Sequence, residues 1–208
     1  EIFGTCSLTA SYSNVLSGNV SITATNPIDG DPLFVDPANG DFTLQASSPG
    51  IDAGDPDLDG DGVNYLYDAD DTDPDGTRMD IGAFYYHQTY FGPVWNVSTN
   101  GSDSNDGSIL NPFATIQHAI NVASANDTVL VHPGTYYENI NPNGKDVVIT
   151  SNFIIDQDSI YISQTIIDGG GNTSYSDTGV ITYDNGESKT SQLIGLTIQN
   201  GLSGISAT

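Results

Sequence analysis

The feature that most constrains the fold is a series of short apolar runs that recur along residues 129–208. Their centres lie roughly 15 to 18 residues apart, and Gly, Asn and Asp are frequent in the gaps. Gly, Asn and Asp favour turns, so each apolar run indicates one strand between two changes of chain direction. Such a pattern is typical of a chain that stacks strand upon strand. The runs occupy residues 129–131, 147–149, 165–167, 180–182 and 196–198.

A different periodicity precedes these runs. Residues 111–123 carry apolar side chains three or four positions apart, which predicts a short amphipathic helix. Asn111 is the predicted N-cap, and Pro112 suits the first helical position because its missing N–H would have no partner there. We expect this helix to cover the open end of the stacked strands. The apolar positions are Phe113, Ile116, Ile120 and Ala123.

Together these patterns predict an all-β fold: a right-handed parallel β-helix (solenoid) with a short capping α-helix and an Asp-rich calcium-binding loop. An antiparallel meander is the alternative, because it also places short strands between turns. Residues 8–12 and 20–23 predict two further strands. The predicted domains are 1–86, with terminal β-helix rungs and the Asp-rich loop; 87–94, an aromatic linker; and 95–208, with the helix cap and β-helix rungs.

The charge of the chain excludes several functions. Asp and Glu total 27 against 3 Lys and Arg, for a formal net charge of -24. Such a chain is repelled by nucleic acid and by anionic membranes, so we expect neither as a partner. No apolar run is long enough to predict membrane insertion. With 37% hydrophobic residues the chain is predicted to fold, which leaves divalent cations to neutralise its acids.

The spacing of acids in residues 57–68 predicts a calcium loop. Asp57, Asp59 and Asp61 alternate, Gly62 follows, Val63 offers a backbone carbonyl, and an acid stands at the twelfth position. Calcium takes six to eight hard oxygen ligands, and alternate Asp residues on a tight loop supply them. A solvated acidic loop without metal is the alternative. A second copy of the pattern begins at Asp71. The predicted Ca2+ ligands are Asp57, Asp59, Asp61, Val63, Asp68, Asp71, Asp73, Asp75, Thr77 and Asp80.

Several segments resemble a known group of proteins. Residues 31–44, 48–55 and 79–86 resemble the C-terminal closing segment of bacterial secreted right-handed parallel β-helix (pectate-lyase-like) repeat proteins. Residues 97–107, 111–120, 127–138 and 195–201 resemble the N-terminal opening segment of the same group. The acidic loop resembles the calcium repeats of thrombospondins (type 3) and dockerins. The resemblance implies an extracellular or cell-surface protein. The start at Glu1 without an initiator Met and the end at Thr208 within a strand-like pattern predict a processed or excised segment. The inverted order predicts head-to-tail stacking of copies, with a piece cut from a larger polypeptide as the alternative.

The residues favour a structural protein over an enzyme. Polysaccharide β-elimination needs a basic residue and cationic help, and the basic side chains are only Arg78, Lys145 and Lys189. Acid pairs at 156/158 and 184/187 are interpreted as turn residues rather than as a glycosidase pair. We therefore expect no enzyme, but a calcium-binding subunit or segment of a filament, adhesin or surface layer. Its predicted partners are copies of itself, stacked head to tail, with glycans as further candidate partners. A fragment of a carbohydrate-binding or polysaccharide-degrading protein is the alternative.

Overall fold

The chain divides into two compact units, Glu1–Gln88 and Thr89–Thr208. The computed structural model describes residues 8–11, 22–25, 28, 30–170, 179–201 and 205–207. The boundary between the units falls inside residues 87–94, for which the sequence predicts an aromatic linker. The linker itself stays a prediction.

The first unit contains two strand pairs and long irregular segments. Strands β1 (Leu8–Ser11) and β2 (Ile22–Thr25) pair in parallel. Strands β3 (Phe34–Asp36) and β4 (Asp41–Leu44) pair antiparallel around a 3₁₀ helix, Pro37–Asn39. A second 3₁₀ helix, Ala69–Asp71, lies within the acidic stretch. Residues 12, 20 and 21 of the two predicted N-terminal runs lie outside the described residues.

The described residues of the second unit form three parallel sheets. The strand orders are β11-β8-β6-β5, β12-β9-β7 and β10-β13. Strands of one sheet pair in parallel, and at some register positions an apolar residue lies beside another, as Val129 does beside Ile149. The elements are β5 (Val94–Val97), α1 (Ile116–Val122), β6 (Thr128–Val131), β7 (Gly134–Tyr136), β8 (Val148–Ser151), α2 (Phe153–Asp156), α3 (Ile160–Gln164), β9 (Thr165–Asp168), β10 (Ile181–Tyr183), β11 (Gln192–Ile194), β12 (Thr197–Gln199) and β13 (Ile205–Ala207).

The register explains the core of this unit. Val129 of β6 pairs with Ile149 of β8, and Tyr136 of β7 pairs with Ile167 of β9. These four side chains are buried in one hydrophobic cluster. Full burial of a Val or Ile side chain contributes roughly 1.5 to 3 kcal/mol, so the aligned apolar positions account for much of the driving force.

The prediction of an all-β right-handed parallel β-helix (solenoid) is wrong for the described residues. They have mixed α/β content, with three short α-helices, two 3₁₀ helices and one antiparallel strand pair among parallel ones, and they form no closed solenoid. One cause is the connection from β8 to β9, which folds into α2 and α3. Its Asp156 and Asp158 carboxylates accept the N–H groups of Asp158 and Ile160, and such local bonds favour turns over extended chain.

The sequence predicts that each interval between apolar runs adds one strand to a single stacked series. The structure gives the interval a different origin. The five runs are distributed over three sheets: β6 and β8 lie in the four-stranded sheet, β9 and β12 in the three-stranded sheet, and β10 in the third. The antiparallel meander is also wrong, because every described pair among these strands is parallel.

Helix α1 begins later than the sequence predicts. Its N-cap is Thr115, whose side chain accepts the N–H of His118, and not Asn111. Phe113 instead bridges to Val97 of β5, which keeps the preceding residues out of the helix. The helix packs against β5 and β6.

Two side chains that are distant in sequence form hydrogen bonds with the backbone at the two ends of α1. The carboxylate of Glu138 accepts the N–H groups of Ile116 (2.9 Å) and Gln117 (3.0 Å) at the first turn. At the other end, Lys145 Nζ donates to the carbonyl oxygens of Ile120, Asn121 and Ala123 at 2.9, 2.7 and 2.8 Å. Both charges have the sign that the helix dipole favours. Among the described residues, none of the helices is long and apolar enough to cross a membrane.

Candidate metal centre

The loop from residue 57 to residue 63 is shaped by bonds between its own side chains and backbone. Asp59 Oδ1 accepts the N–H of Asp61 (3.1 Å), and Asp61 Oδ1 accepts the N–H of Val63 (2.7 Å). Asp57 Oδ2 accepts the N–H of Gly62 (3.2 Å). Gly62 has a φ of 92°, a left-handed conformation that a residue with a Cβ rarely adopts. The chain therefore coils tightly around its own carboxylates.

This coil brings three of the predicted ligands together. One carboxylate oxygen from each of Asp57, Asp59 and Asp61 lies within 4.8 Å of the other two. Three carboxylates at this separation repel one another unless a cation lies between them. The cluster can hold a metal ion. Val63 lies two residues after Asp61 and is half-buried.

Asp71 approaches this loop from a second segment of the chain. It is the last residue of the 3₁₀ helix Ala69–Asp71, and none of its surface is exposed. Its Oδ1 accepts the N–H of Leu58 at 2.5 Å. Burial raises the pKa of Asp71 most, and the charges of Asp68, Asp59 and Asp57 raise it further. Asp71 therefore lies against the first loop.

Two buried carboxylate oxygens, one within this cluster and one beside it, accept no hydrogen bond, and this supports a cation-binding role. They are Asp57 Oδ1 and Asp71 Oδ2. Buried polar atoms are almost always paired, so an unpaired carboxylate oxygen needs a partner of another kind. Asp68 is placed at the N-cap of the same 3₁₀ helix, where its Oδ1 accepts the N–H of Asp70 (2.9 Å).

The second predicted loop is arranged differently. Asp75 accepts the N–H and hydroxyl of Thr77 with Oδ1 and the N–H of Gln88 with Oδ2. Asp80 accepts the N–H groups of Asp52 (2.8 Å) and Tyr86 (2.5 Å) with its two oxygens.

Backbone groups also occupy two more of the predicted ligand atoms. Asp73 Oδ2 accepts the N–H of Asp80 (2.9 Å). The Thr77 carbonyl accepts the N–H of Asp73 (2.9 Å). The acids of this set connect backbone segments, and in the described part of the chain their oxygens do not converge as those of Asp57, Asp59 and Asp61 do. Their role as metal ligands stays a prediction.

The sequence pattern missed two members of this second set. Asp52 stands outside the alternating acids, and its Oδ2 accepts Gln88 Nε2 at 3.0 Å. Gln88, the last residue of the first unit, donates its backbone N–H to Asp75 and its side-chain amide to Asp52. Asp52 lies in the acid-rich stretch and could have been considered, but nothing in the sequence marks Gln88.

The acids of the second predicted loop predict that stability depends on pH in the absence of divalent metal. Burial, then the neighbouring Asp80, Asp75 and Asp52 charges, raise the pKa of Asp73 to about 6. The folded state therefore binds more protons than the unfolded state between about pH 4 and pH 6. We expect residues 50–88 to become more stable as the pH falls from 7 to 5 in the presence of chelator. Hydrogen exchange, corrected for its intrinsic pH dependence, measures this.

The matched variant for this experiment is Asp73→Asn, which should flatten the pH dependence because the titrating group is gone. A wild-type segment that exchanges faster at pH 5 than at pH 7 would contradict the prediction.

The acid pairs considered for glycoside hydrolysis lie in turns of the second unit. Asp156 and Asp158 accept the backbone N–H groups of Asp158 and Ile160 in the connection between α2 and α3. Glu187 accepts the N–H groups of Gly144 and Asn185, and Asp184 accepts Asn141 Nδ2. These carboxylates are used as local hydrogen-bond acceptors. The expectation that the chain is not an enzyme stays a prediction.

Comparison with known proteins identifies the family of the chain. Residues 99–208, more than half of the chain, match the family described as "Protein of unknown function (DUF1565)", and the chain belongs to this family. A stretch of 65 residues, 29% of the chain, is 42% identical to the "Uncharacterized protein YwoF" of Bacillus subtilis (strain 168). The match spans only 14% of that relative's length. No solved structure matches the chain. These descriptions name no activity, so the site is the basis for any functional conclusion.

Proposed function

We propose that this chain is a structural, Ca2+-binding segment of an extracellular protein, in which the ion holds the acidic stretch in its folded form. The observation that carries the proposal is the convergence of Asp57, Asp59 and Asp61 oxygens within 4.8 Å. Calcium accepts six to eight oxygens at about 2.3 to 2.6 Å in flexible geometry, whereas magnesium demands a near-ideal octahedron and retains water. A carboxylate-rich loop with backbone carbonyls at hand favours calcium.

The surroundings of the loop support an extracellular setting. Extracellular calcium modules bind with dissociation constants of about 10⁻⁴ to 10⁻³ M, which matches a loop with exposed Asp59 and Asp61 side chains. The resemblance of the loop to thrombospondin type 3 and dockerin repeats points the same way. The excess of acids over bases, 27 against 3, makes the whole chain a ready ligand for divalent cations.

The partner that we propose is a second copy of the chain, joined head to tail. Strands β11 and β12 are the last strands of their sheets among the described residues. Leu193 and Ile198 on these strands are only partly buried, although they continue the core of the second unit. A strand of another copy, such as β1 or β2, can extend the parallel ladder and cover them. Electron microscopy with calcium and with chelator tests this: filaments support it, and monomers in both conditions contradict it.

Glycan binding stays an expectation, as does the alternative of a fragment from a carbohydrate-active protein. Soaking with oligosaccharides distinguishes a sugar-binding surface from a purely structural one.

A single substitution tests the calcium proposal. We expect Asp61→Asn to raise the calcium dissociation constant at least about 10-fold, because it removes one of three convergent charges. Isothermal titration calorimetry measures the affinity. Trypsin gives a second readout, since Arg78 is the only basic residue of the first unit and cleavage after it reports opening of the acidic stretch. Calcium should slow this cleavage in the wild type.

The matched control is Asp70→Asn, which removes one exposed carboxylate from the same stretch. It should bind calcium within about 2-fold of the wild type. A wild-type chain without measurable calcium binding, or one that trypsin cleaves equally fast with calcium and with chelator, would overturn the proposal.

A further inference from the structure

The side chain of Asp71 is the least expected feature of the acidic stretch. It lies ten residues beyond Asp61 in the chain, yet its carboxylate contacts the backbone between Asp57 and Asp59 through the Leu58 N–H. The side chain is fully buried. Its second oxygen, Oδ2, accepts no hydrogen bond.

The alternation of acids assigns Asp71 to a second loop with Asp73 and Asp75, but the hydrogen bonds separate them. Asp75 binds Thr77 and Gln88, and Asp73 binds Asp80. Asp71 accepts a hydrogen bond from Leu58, a residue of the first loop that precedes it in the chain. Asp71 is the last residue of the 3₁₀ helix Ala69–Asp71, whereas Asp73 and Asp75 lie beyond the end of that helix.

We propose that Asp71 is a ligand of the ion bound by Asp57, Asp59 and Asp61, supplied through its unpaired Oδ2. The inference rests on the proposed calcium function and adds the closing ligand of that site. An oxygen of a buried, ionised carboxylate without a donor is strongly unfavourable unless a cation compensates it. Asp57 Oδ1, also buried and unpaired, provides a second such oxygen on the loop side. One ion between them satisfies both.

This ligand changes what calcium does to the chain. A site confined to residues 57–61 would order one loop, whereas a site that includes Asp71 joins that loop to the 3₁₀ helix ten residues later. Asp68 is the N-cap of this helix, so the ion also fixes the segment that carries the predicted twelfth-position acid. Calcium then acts as a cross-link between two segments.

The test compares Asp71→Asn with Asp70→Asn, neighbours on the same 3₁₀ helix that differ in burial. Each removes one charge. We expect Asp71→Asn to weaken calcium binding at least about 10-fold by calorimetry and Asp70→Asn to change it less than about 2-fold. In chelator, Asp71→Asn should be no easier for trypsin to cleave after Arg78 than the wild type, since it relieves charge repulsion among the acids. This apo result separates a ligand from a structural residue.

A measurement on the wild type guards against a variant that fails to fold. The carboxyl ¹³C resonance of Asp71 should shift on addition of calcium alone, and that of Asp70 should not. Equal affinities of the two variants, or an unmoved Asp71 resonance during saturable binding, would overturn the inference while leaving the calcium function in place. A wild type that binds no calcium overturns both, so the two failures are distinguishable.

Discussion

We expect the substitution Ile149→Ala to lower the free energy of unfolding of the second unit by about 3 to 5 kcal/mol. Ile149 is fully buried on β8, where Val129 of β6 and Leu193 of β11 are its register partners. Strands on both sides hold the backbone in place, so the cavity left by the shorter side chain cannot collapse. Urea unfolding followed by fluorescence measures the loss, because the only tryptophan, Trp95, is buried in this unit.

The control for this prediction is Ile160→Ala on α3, which makes the same chemical change at a side chain that is 47% exposed. Its cost should stay below about 1 kcal/mol. Equal losses for the two variants would show that the aligned strands do not form the stabilising core.

The second large effect is expected at Lys145. Lys145→Met should destabilise the second unit by about 2 to 3 kcal/mol, because three carbonyl oxygens at the end of α1 lose a charged donor. Methionine keeps the length of the apolar stem, so the loss reports the ammonium group rather than packing. Trp95 fluorescence during urea unfolding is again the readout.

Lys189→Met provides the matched comparison, since Lys189 is exposed and the net charge changes equally. This variant should stay within about 0.5 kcal/mol of the wild type. If both lysine variants lose the same stability, long-range charge rather than the contact with α1 is responsible.

The sequence predicts the strands of the second unit better than their arrangement. The run at residues 129–131 lies within β6, and the run at 165–167 lies within β9. Periodicity predicts where a strand forms but not which sheet receives it, since that depends on the path of the connections. Strands β7 (Gly-Thr-Tyr) and β11 (Gln-Leu-Ile) were missed because they fall between the regularly spaced apolar runs.

In the candidate site, too, the local features were predictable from the sequence and the long-range contacts were not. The alternating acids predict that Asp57, Asp59 and Asp61 converge, because two-residue spacing on a tight turn is a local property. The position of Asp71 depends on a 3₁₀ helix and on contact with a segment thirteen residues away, which no spacing rule contains. Glu138 and Lys145, which complete the ends of α1 from distant positions, were unpredictable for the same reason.

The parallel strands of the second unit can pair incorrectly during folding, and the carboxylate of Asp168 disfavours one such error. Passes with similar Val and Ile runs can exchange partners during folding, so that β12 could dock on the wrong strand. Asp168, at the end of β9, accepts Gln199 Nε2 (2.8 Å) and Asn200 Nδ2 (2.9 Å) from the end of β12 and the residue after it. A misplaced β12 would leave this carboxylate without both amides. Asp168 thus favours the pairing of β9 with β12 over pairing with another strand.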